Sequence, residues 1–222
     1  MFLNLASRLN TKKMKQIIFL TENINKFKEL KCYLDASSDF TGRISLTMIK
    51  PDYELHEIQS MDRNEIVRYK LSTAMKNNES LIGLTRHQTE STSNDLWIMV
   101  EDTSFCINKL GGFPGPFIKY YLQSLPLQTI ANSNWGSNAQ SYVNLAIGKY
   151  SQQGEIISKE FEGVIPGVIV EPRGNNGFGF DAIFQPYGCN ITNAEMTMTE
   201  KSKSNPRIIA FYKVLQFIDA NT

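Results

Sequence analysis

Between residues 97 and 121 the chain reads WIMVEDTSFCINKLGGFPGPFIKYY, and this stretch restricts the fold more than any other. The apolar run Trp97 to Val100 has the character of a buried strand, yet it ends on two carboxylates, Glu101 and Asp102. Charged oxygens at the end of a buried strand are costly unless something binds them. A Mg²⁺ ion with a polyphosphate would offset that cost, because hard cations prefer carboxylate oxygens and phosphates need lysine. Lys119 follows, beyond a Gly/Pro-rich loop, on a segment of helical character. A strand end turning into solvent with two ordinary acids accounts for the same letters. If the strand continues through both residues, Glu101 and Asp102 face opposite sides of the sheet. A single metal site could then not readily use both, and the two share one only where the strand breaks between them.

The 222 residues suit one large or two small domains, and 41% hydrophobic content is enough for a sizeable core. A formal net charge of +1 gives no global attraction to nucleic acid or to an acidic membrane, so an anionic ligand must be met by local lysines. Cys32, Cys106 and Cys189 are odd in number and far apart, which fits reduced thiols in an intracellular protein rather than a disulfide framework. With His56 and His87 the only histidines, a histidine-rich metal site is excluded and a Ser-His-Asp triad has no support. No apolar run approaches the roughly 20 residues of a membrane-spanning helix. Residues 1–15, MFLNLASRLNTKKMK, are basic without an acid. They read as a disordered leader ahead of one domain at 16–222, with a cytoplasmic location expected and a mitochondrial transit segment as the alternative.

Ile17 to Leu20 reads as a strand, followed by a tight turn and a helix on which Phe27, Leu30 and Leu34 recur. Asn23 is a suitable N-cap and puts Lys26 in the first turn, where exposed N–H groups and a lysine make an anion site. A solvated lysine is the bland alternative. Asp62 to Glu65 has capping-box spacing ahead of an apolar face, and residues 77–96 read as a polar surface loop. A helix is expected from Phe117 to Leu125, between Pro116 and Pro126, with strands at 141–148, 156–161 and 164–170 and a last helix from Pro206 to Asp219. Strands and helices mix while the middle strands follow one another closely, which predicts an α/β sheet with an antiparallel portion.

Two further segments carry chemistry. Residues 171–186, EPRGNNGFGFDAIFQP, set Phe178 and Phe180 around Gly179 with Asp181 adjacent. Such aromatics can stack on a planar base while the carboxylate accepts a base N–H, or they can belong to the core beneath a hairpin loop. Lys201, Lys203 and Arg207 lie ahead of the last helix, with Asn205 at its N-cap and Pro206 at N1. Cations there oppose the helix dipole and hint at an anion nearby.

Taken in order, Thr21-Glu22-Asn23 through Glu29, Glu101-Asp102-Thr103 with GGFPGPFIKY, and PRGNNGFGFDAIFQP resemble the motifs of the inosine triphosphate pyrophosphatase family. The resemblance runs from about residue 16 to 219. It implies an elongated mixed α/β sheet with flanking helices, two lobes around a central nucleotide-binding groove, and a homodimer. It also implies hydrolysis of ITP, dITP or XTP to the monophosphate and pyrophosphate with Mg²⁺, in nucleotide-pool sanitation. By position, Lys26 and Lys119 would hold the triphosphate, with Thr21, Asn23 and Ser104 among the substrate contacts. Glu57 would be a Mg²⁺ ligand, and Asp102, as the catalytic carboxylate, would help hold the metal or activate the attacking water, with Glu101 beside it and at the metal only if the strand breaks between them. Phe178 would stack on the base, Phe180 and Asp181 would complete the pocket, and Lys201 and Arg207 would contact the phosphate or base end, Arg207 being suited to donate to a 6-oxo group. The chain departs from the family at Glu22 and Ser104, where glycine is usual, and at Asn205-Pro206-Arg207 in place of Ser-His-Arg. The alternatives implied are the same chemistry with altered base preference, or a nucleotide-binding protein with impaired turnover.

Overall fold

Strand β1 (Lys15–Leu20) leads through a short turn into helix α1 (Ile24–Ala36), and β2 (Ile44–Ile49) returns parallel to β1. This computed structural model describes residues 14–53, 55–77, 95–151 and 153–220. Helix α2 (Arg63–Asn77) precedes β3 (Asp95–Ile107), which pairs with β1, again in parallel. From there the sheet is antiparallel: a short β4 (Pro114–Gly115), helices α3 (Ile118–Ser124) and α4 (Leu127–Asn134), then β5 (Asn138–Tyr150), β6 (Ile156–Ile169) and β7 (Phe184–Pro186). Helices α5 (Met198–Ser202) and α6 (Pro206–Ala220) follow. The strand order is β2-β1-β3-β5-β6-β7, with β4 on β3, so the expected mixed α/β sheet is present.

Alternation along β3 explains the layers. Trp97 and Met99 join Ile17, Phe19, Val143 and Leu145 beneath α1 and α6. Ile98 and Val100 join Ile18 and Leu20 beneath α2. A strand covered on both faces reads as a continuous apolar run, as this one does. At its far end Phe105 and Ile107 belong to a separate core with Ile118, Ile130 and Phe184. Between these cores lie the four polar residues Glu101 to Ser104. The pairing of β3 with β1 ends at Met99 and its pairing with β4 starts at Phe105, so among the described residues Glu101–Ser104 pair only with β5. The resulting notch lies past the carboxyl end of β1, where open α/β sheets place their ligands.

The structure also revises several expectations. The strands expected at 156–161 and 164–170 are one strand, β6. It continues through Gly163, where a Cβ would meet the Pro206 carbonyl at 1.9 Å, so the missing side chain lets the start of α6 press onto the sheet. Lys15 is not leader: it opens β1, and its Nζ donates to the Ile218 carbonyl. Residues 1–13 of the leader, and His87 with most of the polar loop, lie outside the described residues. At α2, Asp62 Oδ1 accepts the N–H groups of Asn64 (2.9 Å) and Glu65 (3.3 Å), but the reciprocal half of the box is absent. Ser60 stands in, accepting the Asp62 N–H and donating to Glu65. No described helix is long and apolar enough to cross a membrane.

Candidate active site

The turn after β1 builds the first wall. Thr21 Oγ1 accepts the Asn23 N–H at 3.1 Å, and Asn23 Oδ1 caps α1 by accepting from Asn25 (3.0 Å) and Lys26 (3.3 Å). This holds Lys26 over the notch, its Nζ 3.0 Å from Glu101 Oε1.

β3 runs unbroken through Glu101 and Asp102, so the two acids part company. Glu101 faces α1 and α6. Its oxygens accept from Arg207 Nε (2.8 Å), Arg207 Nη2 (2.9 Å) and Thr103 Oγ1 (3.0 Å). Burial alone would raise this carboxyl, but the Arg207 and Lys26 cations outweigh it and hold the pKa at about 2. The condition for Glu101 as a metal ligand is therefore not met, and the residue is a counter-ion instead.

Asp102 is also buried, but its Oδ2 has no hydrogen-bond partner among the described residues. Burial pushes its pKa up to about 6; Lys26 and Lys70 pull it down, while the Glu57 and Glu101 charges push it further up. Glu57 lines the same cleft and is ion-paired to Lys70. Its burial acts upward, yet Lys70, Lys26 and Lys119 together leave it below the usual carboxylate range. Lys70 also donates to the Glu101 carbonyl at 3.0 Å. The sequence reading missed Lys70, although a lysine within the buried stripe Ile66, Val67, Leu71 and Ala74 was a visible signal. Lys119, exposed on α3, lines the same cleft as Lys26. Glu57 and Asp102 are the carboxylates placed to hold a cation; among the described residues no cluster of three or more His, Cys, Asp or Glu does so.

The cleft has a volume of about 330 Å³ and extends from Lys26, Asp102 and Lys119 to the ring of Phe178. That size suits one small ligand. Phe178 is half-buried, and Lys201 Nζ and Arg207 Cζ lie 4.9 and 5.8 Å from its ring centroid. Its N–H donates to Asp181 Oδ2 at 2.9 Å, an arrangement requiring Gly177, whose Cβ would meet the Asp181 side chain at 2.5 Å. Phe180 borders the cleft but stacks on Phe105, centroids 4.2 Å apart, so core packing and pocket wall share that residue.

Behind Phe178 stand charges that are all paired. Lys201 Nζ donates to Asp181 Oδ2 and to Glu29 Oε1, both at 2.7 Å, and Arg207 Nη1 donates to Glu29 Oε2. Asn205 caps α6, accepting the Arg207 N–H at 2.9 Å, while its Nδ2 donates to Glu29 Oε2 at 2.8 Å. The anions that the basic segment hinted at thus include Glu29 and Glu101 of the chain itself. Two expected substrate contacts are not brought to the cleft: Ser104 is buried away from its lining, and Thr21 instead stabilises the turn. Glu22 points outward, 3.5 Å from Lys50, so its charge is not added to the cleft lining.

Comparison with known proteins agrees with this geometry. The chain is 32% identical to the inosine triphosphate pyrophosphatase of Candida glabrata, over 92% of this chain and 98% of that protein. It is 31% identical to inosine triphosphate pyrophosphatase 2 of Trypanosoma cruzi, over 86% of each. A HAM1 protein from Coxiella burnetii superposes with a TM-score of 0.64 at 21% identity, covering 93% of this chain and 100% of that one. A nucleoside-triphosphatase / dITP/XTP pyrophosphatase from Mycobacterium abscessus superposes with a TM-score of 0.57 at 22% identity, covering 90% and 98%. The match to the Ham1 family spans residues 17–217, from β1 through α6 and both ends of the cleft, and the chain therefore belongs to the Ham1 family.

Proposed function

We propose that the chain hydrolyses non-standard purine nucleoside triphosphates, ITP, dITP or XTP, to the monophosphate and pyrophosphate. The observation that carries this reading is the unpartnered Asp102 oxygen, buried in a cleft that has Lys26 and Lys119 at one end and Phe178 at the other. Relatives named as inosine triphosphate pyrophosphatases support the choice of substrate. The base would stack on Phe178, with Asp181 as an acceptor at its edge, and Lys26, Lys119 and Asn23 would hold the phosphates.

Mg²⁺ fits the donor set. It is commonly bound by one or two carboxylates together with substrate phosphates, and Asp102 offers an oxygen with no other partner while Glu57 faces the same space. When bound, the cation supplies charge neutralisation on the phosphates and Lewis-acid polarisation of a phosphoryl oxygen. Asp102 takes a proton from the water that attacks the α-phosphorus, and the lysines stabilise charge on the leaving pyrophosphate. The homodimer that the resemblance implies, and the cytoplasmic location expected from the sequence, belong to this reading; light scattering would check the former.

One observation favours a second reading, the same chemistry with shifted base preference. Pro206 has neither imidazole nor N–H, and Arg207 spends its donors on Glu101, Glu29 and Thr103 rather than on a base edge. The test is pyrophosphate release with Mg²⁺ from ITP, dITP, XTP, dUTP, ATP and GTP. Preferential release from the oxo-purines ITP and XTP is expected. No release from any of them removes the enzyme reading, and dUTP or ATP outrunning ITP selects the shifted preference.

A further inference from the structure

We infer that Glu29 is a positioning residue for base discrimination, joining the base end of the cleft to its phosphate end. This rests on the nucleotide reading above. Glu29 is 4% exposed and does not itself line the main cleft, yet its two oxygens accept from Lys201, Asn205 and Arg207, which do. Lys201 is on α5, Asn205 caps α6 and Arg207 is in its first turn, so one carboxylate gathers the whole segment onto α1. Two of those partners, Lys201 and Arg207, are the cations beside the Phe178 ring.

On α1, Glu29 follows Lys26 by three residues, and side chains at that spacing share a helix face. The phosphate lysine and the anchor of the base-side cations therefore ride on one rigid turn. The charges alternate without a gap: Asp181, Lys201, Glu29, Arg207, Glu101, Lys26. This run of three acids and three bases is neutral, and Glu29 is the middle one of its anions. Burial acts to raise the Glu29 carboxyl, but Arg207 and Lys201 outweigh it and keep it ionised. Without that anion Lys201 keeps one carboxylate partner, Asp181, and Arg207 keeps Glu101 with the Thr103 hydroxyl, so each cation is less constrained relative to a base stacked on Phe178. A shift there changes how one base is told from another. Asp102 and Lys119 are not bonded to Glu29, so the phosphate chemistry itself stays assembled.

The experiment compares kcat/KM for ITP and ATP in the wild type, in Glu29→Gln, in Lys201→Met and in the double variant. Glu29→Gln is expected to reduce the ITP-to-ATP ratio about tenfold, mainly through KM for ITP, with kcat at saturation changing less than threefold. Glu29→Asp should recover part of the ratio. A staple that merely holds the fold together would lower both substrates equally and leave the ratio unchanged, which would overturn the inference. Should Glu29→Gln fail to fold, Glu29→Gln/Lys201→Met removes one charge of each sign and keeps the network neutral. It is expected to fold and to discriminate no worse than Lys201→Met alone, since the two residues act through one contact. Losses that simply multiply in the double variant would overturn the inference as well. A wild type that hydrolyses no triphosphate sinks the functional reading first, whereas an active and selective wild type with an unchanged Glu29→Gln ratio sinks this inference alone.

Discussion

The two faces of β3 around residues 101 and 102 receive the same kind of group and treat it in opposite ways. On the α1/α6 face Glu101 is buried against Arg207, Lys26 and Thr103, and its carboxyl is held at about 2. One residue along, Asp102 is buried with an oxygen unpartnered, and burial pushes its carboxyl up to about 6. A fixed cation can satisfy a carboxylate permanently, but a residue that must take a metal or a proton has to be left short of partners. The structural face is complete in itself. The other face leaves one Asp102 oxygen without a partner among the described residues.

The largest effect should come from breaking the incomplete face. Asp102→Asn keeps the shape and removes the base, and pyrophosphate release from ITP is expected to fall about a thousandfold, as general-base losses do. Its folding stability should be unchanged or higher, because a poorly solvated acid has been removed. Activity within tenfold of wild type would remove Asp102 from the mechanism. Glu101→Gln should do the reverse in stability: it leaves Arg207 buried with one strong partner fewer, which costs about 3 kcal/mol in urea unfolding. If Glu101→Gln proved as stable as wild type, the two faces would not differ in the way described.

pH sharpens the same contrast in the metal-free protein. Glu101 has a folded pKa of about 2 against an ordinary 4.5, so its stabilisation is present above 4.5 and is lost as pH falls through 2. Asp102 runs the other way, about 6 folded against 3.8. The folded state then holds the proton that the unfolded chain has released, and stability declines as pH rises from about 4 to about 6. Each pH unit in that window is worth about 1.4 kcal/mol, for a decline of at most roughly 3 kcal/mol. Chemical unfolding across pH 4 to 6 should show the decline in wild type and lose it in Asp102→Asn. A decline of equal size in both proteins would assign it to other groups.

How much of this was legible in the sequence follows from the range of each interaction. Asn23 as a cap, Lys26 in the first turn and Phe178 in a glycine-bounded loop are local patterns, and the structure places all three at the cleft; Asp102 lines it too, but from the middle of β3 rather than from a strand end. Glu29 was within a quoted motif but had no role, because its partners Lys201, Asn205 and Arg207 lie 172, 176 and 178 residues away. The same distance hid the fate of Arg207, expected at the base and found tied to Glu101 and Glu29. β2 escaped notice although Ile44-Ser45-Leu46-Thr47-Met48 alternates apolar and polar residues as a half-buried strand does, so its signal was present in the sequence. Phe180 was readable as base platform or core, and its stack on Phe105 shows that one ring can be both wall and core.

Base-end contacts should matter less than the reactive carboxylate. Phe178→Ala removes the stacking surface, and base–aromatic stacking is typically worth ~1–3 kcal/mol. An increase of roughly tenfold to a hundredfold in KM for ITP is expected, with kcat little changed, in steady-state assays. A fall confined to kcat would mean that the ring orders the reacting end rather than holding the base.

The smallest effect is expected where the chain departs most visibly from its family. Glu22 replaces a glycine beside the phosphate turn, and by charge alone it should repel a triphosphate. The structure turns it outward: its side chain is 69% exposed and lies 3.5 Å from Lys50, an ion pair screened by water and worth ~0–1 kcal/mol. Glu22→Gly should therefore change KM for ITP by less than about threefold in 150 mM salt. A slightly larger drop in KM at low salt is expected, since an exposed charge acts over a longer range there. A tenfold gain in affinity at 150 mM salt would show that Glu22 reaches the phosphates when nucleotide binds, and the outward pairing with Lys50 would then describe only the empty cleft.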